Sequence, residues 1–265
     1  MARAVNRPAS RALQYVHVAM MLAVFFAVWE SLVWFLKIPP YLLPRPSAIA
    51  IAIVAAFPSL LRHTYASLQA TVGGFAAGAI VSMVLGPLVI YNGLAKRAFM
   101  PTIIFLNALP KVALAPIIVV WLGFGMLTNV TITATVAFFP ILVNFIAGLE
   151  DIREEEYRLM ASYNASKWQV FRHVQLYRSL PYLFAGFKVG IVLAVIGTVV
   201  AEFVAGKEGL GYWVFVKMNY FQTQDMFGGV VLLGFMSVLL YGVVEALQGF
   251  LMPWQKSKTT VSNIS

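Results

Sequence analysis

The chain has 265 residues, 61% hydrophobic and 11% charged, with a mean hydropathy of +0.83, whereas a soluble domain carries roughly 25% charged residues. Nineteen Lys/Arg and ten Asp/Glu are too few to cover a soluble fold of this length, which excludes a free soluble enzyme and makes lipid the solvent for much of the molecule. The net charge of +9 is scattered between apolar runs rather than gathered on one face, which argues against a nucleic-acid partner, and the absence of cysteine excludes a disulfide framework or a thiol nucleophile.

Stretches free of Asp, Glu, Lys and Arg run from Ala12 to Trp29, Thr64 to Ala95, Val112 to Leu149, Val189 to Ala201 and Met226 to Val244. A helix needs about 20 apolar residues to cross the hydrocarbon core. The first stretch follows arginines as a secretory signal does, but no small-residue cleavage site follows it, so it reads as a retained helix. The segment from Lys37 to Ser67 carries Pro39, Pro40, Pro44, Pro46 and Pro58 and reads as a loop with a short surface helix. Gly73, Gly74, Gly78, Gly86 and Gly190 suit close helix packing. The run from Val112 to Leu149 is too long for one span. It divides at Gly123, Phe124 and Gly125, its first half joining the apolar stretch that starts near Phe99. Six spans result, centred near residues 26, 80, 110, 139, 193 and 240.

With the N-terminus inside, twelve of the nineteen Lys/Arg fall in inside segments, against Lys37, Arg45, Arg62, Lys207 and Lys217 outside. This bias puts both termini in the cytoplasm. With no repeat and no low-complexity linker, residues 1–265 read as one membrane domain. Trp29, Trp34, Tyr212 and Trp213 fit interfacial belts.

After the fourth span, a cytoplasmic loop from about residue 150 to 181 opens with Glu150, Asp151, Arg153, Glu154, Glu155 and Glu156. Tyr157, Met160, Trp168, Phe171 and Val174 recur at helical spacing beside Arg158, Lys167, Arg172 and Arg178, with a turn marked by Asn164 and Ser166. Such an aromatic, charged elbow suits either the lipid headgroups or a cytoplasmic partner. Inside the spans, ionisable and amide groups are costly and become pathway candidates. Lys111, between Pro110 and Pro116, suits an anionic solute. Glu202, ahead of the glycine-rich stretch Gly206 to Gly211, suits a gate braced by a lysine. Asn107, Asn144 and Thr198 either line the pathway or join helices. Glu30 and Glu245 read as solvated or helix-paired carboxylates.

Leu43-Pro44-Arg45-Pro46-Ser47, Leu109-Pro110-Lys111-Val112-Ala113-Leu114-Ala115-Pro116, Phe138-Phe139-Pro140-Ile141, and Ala201-Glu202-Phe203 followed by Gly209-Leu210-Gly211-Tyr212 occur in this order along nearly the whole chain. With these landmarks the chain resembles the binding-protein-dependent permeases of ABC importers, of the nitrate, sulfonate, taurine and bicarbonate type. The family's Glu-Ala-Ala loop motif is altered here: Arg158, Leu159 and Met160 take its positions, Asn164 takes the glycine, and the ending reads Val174-Gln175-Leu176-Tyr177. Ala165, Ser166, Leu180 and Pro181 still fit.

The resemblance implies an all-α integral membrane protein with six transmembrane helices, in the type I (MetI-like) importer permease architecture of the bacterial inner membrane. It implies half of a translocation pore, a second permease that is identical or homologous, two ABC ATPase subunits and an outside solute-binding protein. Tyr157, Arg158, Met160, Asn164, Ala165, Ser166, Lys167, Trp168 and Phe171 would dock the ATPase; Asn107, Lys111, Asn144, Thr198 and Glu202 are the pathway candidates. ATP and Mg belong to the partner ATPase, since Gly206 and Lys207 lack the spacing and hydroxyl of a phosphate-cradling loop. No cofactor and no metal is expected on this chain: His17, His63 and His173 form no metal-spaced cluster and supply no intramembrane catalytic His. A self-contained secondary carrier or channel is the alternative, but it leaves the amphipathic loop unexplained.

Overall fold

A computed structural model of the chain describes residues 8–91, 101–102, 105 and 109–255. Among these the regular structure is entirely helical. Helix α1 (Pro8–Phe35) is followed by a proline-rich turn and the short α2 (Pro46–Ala55), then α3 (Phe57–Tyr91). The expected surface helix is therefore present, but the loop is shorter than its prolines suggest. Pro46 and Pro58 occupy first-turn positions, where a missing N–H costs nothing, so each starts a helix instead of breaking one.

Helix α4 (Lys111–Leu122) and α5 (Met126–Glu150) follow, separated by Gly123, at φ 76°, and Gly125, at φ 142°. Next come α6 (Glu154–Ser162), α7 (Lys167–Val170), a π-helical turn (Phe171–Gln175), α8 (Leu176–Ala205), α9 (Leu210–Asn219) and α10 (Thr223–Leu251). Five helical stretches are long and apolar enough to cross a membrane, coinciding with the spans expected near residues 26, 80, 139, 193 and 240. The stretch expected near residue 110 is not one continuous helix. Leu109 and Pro110 are non-helical, Pro110 is extended at ψ 104°, and α4 begins only after it. Proline cannot donate to the preceding turn and disfavours helix in the residue before it.

The bundle is built on α3, α5 and α8. Helices α3 and α8 each meet α5 along small residues: a Cβ on Gly78 of α3 would lie 3.0 Å from the Ala134 carbonyl of α5, and one on Gly190 of α8 would lie 2.8 Å from Ile141 of α5. In lipid, where apolar contact alone gives no preference for a neighbouring helix, this closeness supplies the dispersion that holds the bundle. Phe145, Ile141, Leu142 and Leu149 fill the space so made and are fully buried. Helix α10 packs through Leu233, Met236, Leu240 and Val244. Helix α1 lies at the edge: its Glu30 accepts from the Ser47 hydroxyl at 2.8 Å at the start of α2, and Trp29 meets Phe227 of α10 with ring centroids 6.3 Å apart.

The α3 helix, 35 residues, is about 52 Å long at 1.5 Å per residue, well beyond a hydrocarbon core of about 30 Å. Its first turns, with Arg62 and His63, lie at one end of the bundle. Residues 150–175 lie at the other end, called here the loop end.

Candidate functional site

At the end of the bundle away from the loop, α8 closes with Glu202, whose side chain is buried at 1% exposure. The Ser67 hydroxyl donates to its carboxylate, 2.7 Å from Oε1 and 2.9 Å from Oε2, and the Gly211 amide donates to Oε2 at 2.7 Å. The Leu210 amide in turn donates to Ser67 Oγ at 2.7 Å. Leu210 and Gly211 open α9, whose first-turn amides have no partner within the helix. Its own N-cap, Gly209, has no side chain to offer. Glu202 and Ser67 therefore cap α9 from neighbouring helices, their oxygens accepting from its first-turn amides.

Glycine is required for this approach. Gly209 sits at φ 118°, and a Cβ there would overlap the Glu202 carboxyl; one on Gly211 would lie 2.8 Å from Oε2. Two further ties fasten the same turn to α3. The Gly209 amide donates to His63 Nδ1 at 3.0 Å, which leaves the ring proton of neutral His63 on Nε2, and Glu208 pairs with Arg62. We call this assembly the latch. The expected lysine partner of Glu202 is absent among the described residues, and Lys207 is exposed. Backbone amides and a hydroxyl supply the positive potential that a cation would have supplied.

One turn deeper, Thr198 of α8 is fully buried, its hydroxyl 2.9 Å from Thr71 of α3 and 3.0 Å from Thr133 of α5. A single hydroxyl thus joins the three central helices. Asn144 is half-buried and returns its amide to the Pro140 carbonyl at 2.8 Å. Asn107 and the Lys111 side chain lie outside the described residues. Trp213, expected in an interfacial belt, is buried instead, its indole N–H donating to the Asp225 carbonyl at 2.9 Å.

At the loop end, α6 starts with Glu154, Glu155 and Glu156 in its first turn, where carboxylates suit the helix dipole. Arg158 is exposed and pairs with Glu154 one turn back, at 2.6 Å. The chain then reverses at Asn164, at φ 49°, with the Ala165 amide donating to the Met160 carbonyl at 3.0 Å. Ser166 begins α7 with a capping box: its hydroxyl accepts from the Gln169 amide, and the Gln169 side chain accepts from the Ser166 amide at 2.8 Å. The π-helical turn passes this short helix into α8 without a break.

Several ties hold the loop to the bundle. Buried Gln175 donates to the Leu149 carbonyl at 3.3 Å and accepts from the Tyr91 hydroxyl; Tyr182 donates to Asp151 at 2.9 Å; Arg178 pairs with Glu156. The hydrogen bond from the Arg178 guanidinium holds the Glu156 carboxyl below the usual carboxylate range. The expected apolar stripe splits into two faces. Met160, Phe171 and Val174 are half-buried, Phe171 lying against Tyr91 with centroids 6.0 Å apart. Tyr157 and Trp168 face outward with Leu159 and Tyr163, Trp168 at 64% exposure. Sequence reading missed Ser67, His63 and Gln175. A lone serine or glutamine in an apolar run carries no local signal, although the glycines after Glu202 mark a close approach to something.

The family model for the inner membrane component of binding-protein-dependent transport systems matches residues 74–257, which takes in the loop and the Glu202–Gly211 side of the latch. The chain belongs to this family. The permease is 33% identical over 91% of its length to the riboflavin transport system permease protein RibX of Chloroflexus aurantiacus, covering 90% of that protein. It is 31% identical over 83% of its length to the formylaminopyrimidine transport permease protein ThiX of Halalkalibacterium halodurans, covering 88%. It is 26% identical over 88% of its length to the taurine transport system permease protein TauC of Escherichia coli, covering 87%. Among solved structures it shares its fold with a chain of the MetNI methionine ABC transporter in inward-facing conformations, with TM-score 0.64, 18% identity, and coverage of 73% of this permease and 96% of that chain. The architecture is that of a type I importer permease, and the protein is a transmembrane subunit of an ABC import system.

Proposed function

We propose that this permease forms half of a dimeric pore that moves a small solute inward by alternating access, driven by two separate ABC ATPase subunits and supplied by an outside solute-binding protein. The observation that carries this reading is the outward-facing aromatic surface of Tyr157 and Trp168 on a loop tied to all three central helices. A surface of this kind on an otherwise capped and hydrogen-bonded loop suits a protein groove. Tyr157, Arg158, Lys167 and Trp168 contact the ATPase; Met160, Asn164, Ala165, Ser166 and Phe171 hold the shape that presents them. Arg158 reverses the charge at a position where the family carries glutamate, so the ATPase offers a carboxylate there.

ATP and Mg bind the partner ATPases and close them. The loops move with them, and the bundle swings as a body about the shared pore. Such coupling requires the ATPase to bind the inward and outward forms of the permease with different affinity. The excess of Lys/Arg in the segments read from the sequence as inside supports a cytoplasmic loop and cytoplasmic termini. Residues 1–265 act as one permease domain. Asn107, Lys111 and Asn144 are on the pathway, while Thr198 and Glu202 serve it by bracing the helices that wall it. The named solutes of the relatives, riboflavin, formylaminopyrimidine and taurine, are small and rich in polar atoms, which fits a polar passage.

Affinity purification of the permease from its native membrane in mild detergent, with mass-spectrometric stoichiometry, tests this reading. Two ATPase chains with two permease chains are expected. Recovery of a transport-competent protein without an ATPase would sink it and restore a self-contained carrier.

A further inference from the structure

We propose that a cavity beside the latch is a binding subsite for the anionic head of the solute, a station between the binding protein and the pore. The cavity, of about 440 Å³, lies between the first turns of α3, the start of α5 and the α8–α9 turn, and is lined by Arg62, Tyr65, Gln69, Asn129, Lys207 and Glu208 among others. Its size is that of a small-molecule site. On the orientation proposed above it opens to the outside, and the proposal rests on that importer reading.

Three features of the wall select the ligand. Asn129 is only 6% exposed, and its Oδ1 is buried with no hydrogen-bond partner among the described residues. That oxygen is closed off from the cavity as well, so Asn129 gives the wall a polar side chain but no acceptor that a ligand reaches. Arg62 and Glu208 pair with each other, so their charges cancel across the rim. Lys207 is exposed on the same rim with no carboxylate partner among the described residues, and it leaves the cavity with a net positive wall. The rim is also held in place: the Gly209 amide on His63 and the Glu202 cap of α9 fix the turn that carries Lys207 and Glu208. A cation carried on a held turn and a tyrosine ring around one cavity suit a carboxylate- or sulfonate-sized anion.

The chain has no cysteine, so Gln69→Cys places its only thiol in this wall. In the full complex of permease, ATPase and binding protein in nanodiscs, the labelling rates of sulfonatoethyl and trimethylammonioethyl methanethiosulfonate are compared, each divided by its rate with free cysteine. The anionic reagent is expected to react roughly tenfold faster, given one uncompensated cation within the cavity. Lys207→Gln is expected to bring the ratio close to one, and Asn129→Asp to push it the other way. Tyr65→Cys gives a second reporter if Gln69→Cys assembles poorly. Equal rates, or a preference for the cationic reagent, would overturn the subsite. Complete shielding of the thiol by ligand-stripped binding protein would also overturn it, because the surface would then be a protein-docking face. If ATP hydrolysis by the complex no longer depends on the binding protein, the importer reading fails; if that dependence holds while the labelling shows no preference, the subsite alone fails.

Discussion

The two ends of α8 are finished in opposite ways. At one end Glu202 is buried, and its ties run to Ser67 and Gly211 of the same chain, with the Arg62–Glu208 pair and the His63–Gly209 bond outside them. At the other end the backbone is tied down through Gln175 and Arg178, but large aromatic side chains are left facing out. A bundle that caps a helix at one end with its own groups, and at the other presents aromatic side chains on a tied loop, has its latch made within the chain and its loop surface free for a partner. The same contrast predicts where substitutions harm folding and where they harm coupling.

The largest effect is expected at Glu202. Glu202→Ala strips the acceptor from Ser67 and Gly211 together, and two buried groups left unsatisfied at ~1–3 kcal/mol each cost about 2–6 kcal/mol. Thermal unfolding of the purified permease in detergent should show this loss, with Glu202→Gln recovering much of it because an oxygen acceptor remains. Gly209→Ala should reproduce a good part of the defect by driving a methyl group into the carboxyl. If Glu202→Ala unfolds like the parent, the latch is decorative and the comparison collapses.

At the loop end Trp168→Ala should act the other way. With 64% of Trp168 exposed, its removal should leave the unfolding curve nearly unchanged. An interface anchor of this type is worth about 2 kcal/mol, so transport and binding-protein-stimulated ATP hydrolysis should fall more than roughly tenfold. Phe171→Ala sharpens the test, because that ring is half-buried against Tyr91 and should lose both stability and coupling. Unchanged transport in both variants would break the docking assignment.

The stretch of fold legible in the sequence was the part governed by hydropathy and charge. Five spans lie where uncharged runs place them, because a bilayer admits few other solutions. The span near residue 110 is broken at Pro110, because backbone sterics register a proline that hydropathy averages over. At the loop, helical spacing and the Asn164–Ser166 turn were readable because capping and reversal are local events. The latch was only half legible. Glu202 and the glycines after it stood out, but Ser67 comes from a distant helix, and nothing in a single sequence registers α3 against α8. The guess of a lysine partner failed for a related reason: charge is visible in a sequence, whereas a cluster of free amides at a helix start exists only once the helix is placed.

Thr198 lies between these extremes, buried like the latch but neutral. Thr198→Val keeps the shape and removes both hydroxyl links, to Thr71 and to Thr133. Interhelical hydrogen bonds in membranes average about 0.6 kcal/mol each, so a loss of about 1 kcal/mol is expected in the same unfolding assay. Thr198→Ser should stay near the parent. A loss as large as that of Glu202→Ala would show the contrast to rest on burial alone and not on the capping hydrogen bonds.

The smallest effect separates shape from chemistry at the loop. Asn164 holds φ 49°, a conformation that glycine adopts freely, asparagine tolerates and β-carbon residues resist by roughly 1 kcal/mol. Asn164→Gly should therefore match the parent within a few tenths of a kcal/mol, and Asn164→Ala should loosen the turn by roughly 0.5–1 kcal/mol. Amide exchange at Ala165, whose N–H closes the turn on Met160, measures this opening directly. Because the side chain of Asn164 is exposed and the strain resides in the backbone, coupling should track the exchange rate across the three variants. If Asn164→Gly exchanges like the parent yet couples poorly, the asparagine amide itself touches the ATPase, and position 164 belongs with Trp168 among the contacts and not among the residues that shape the loop.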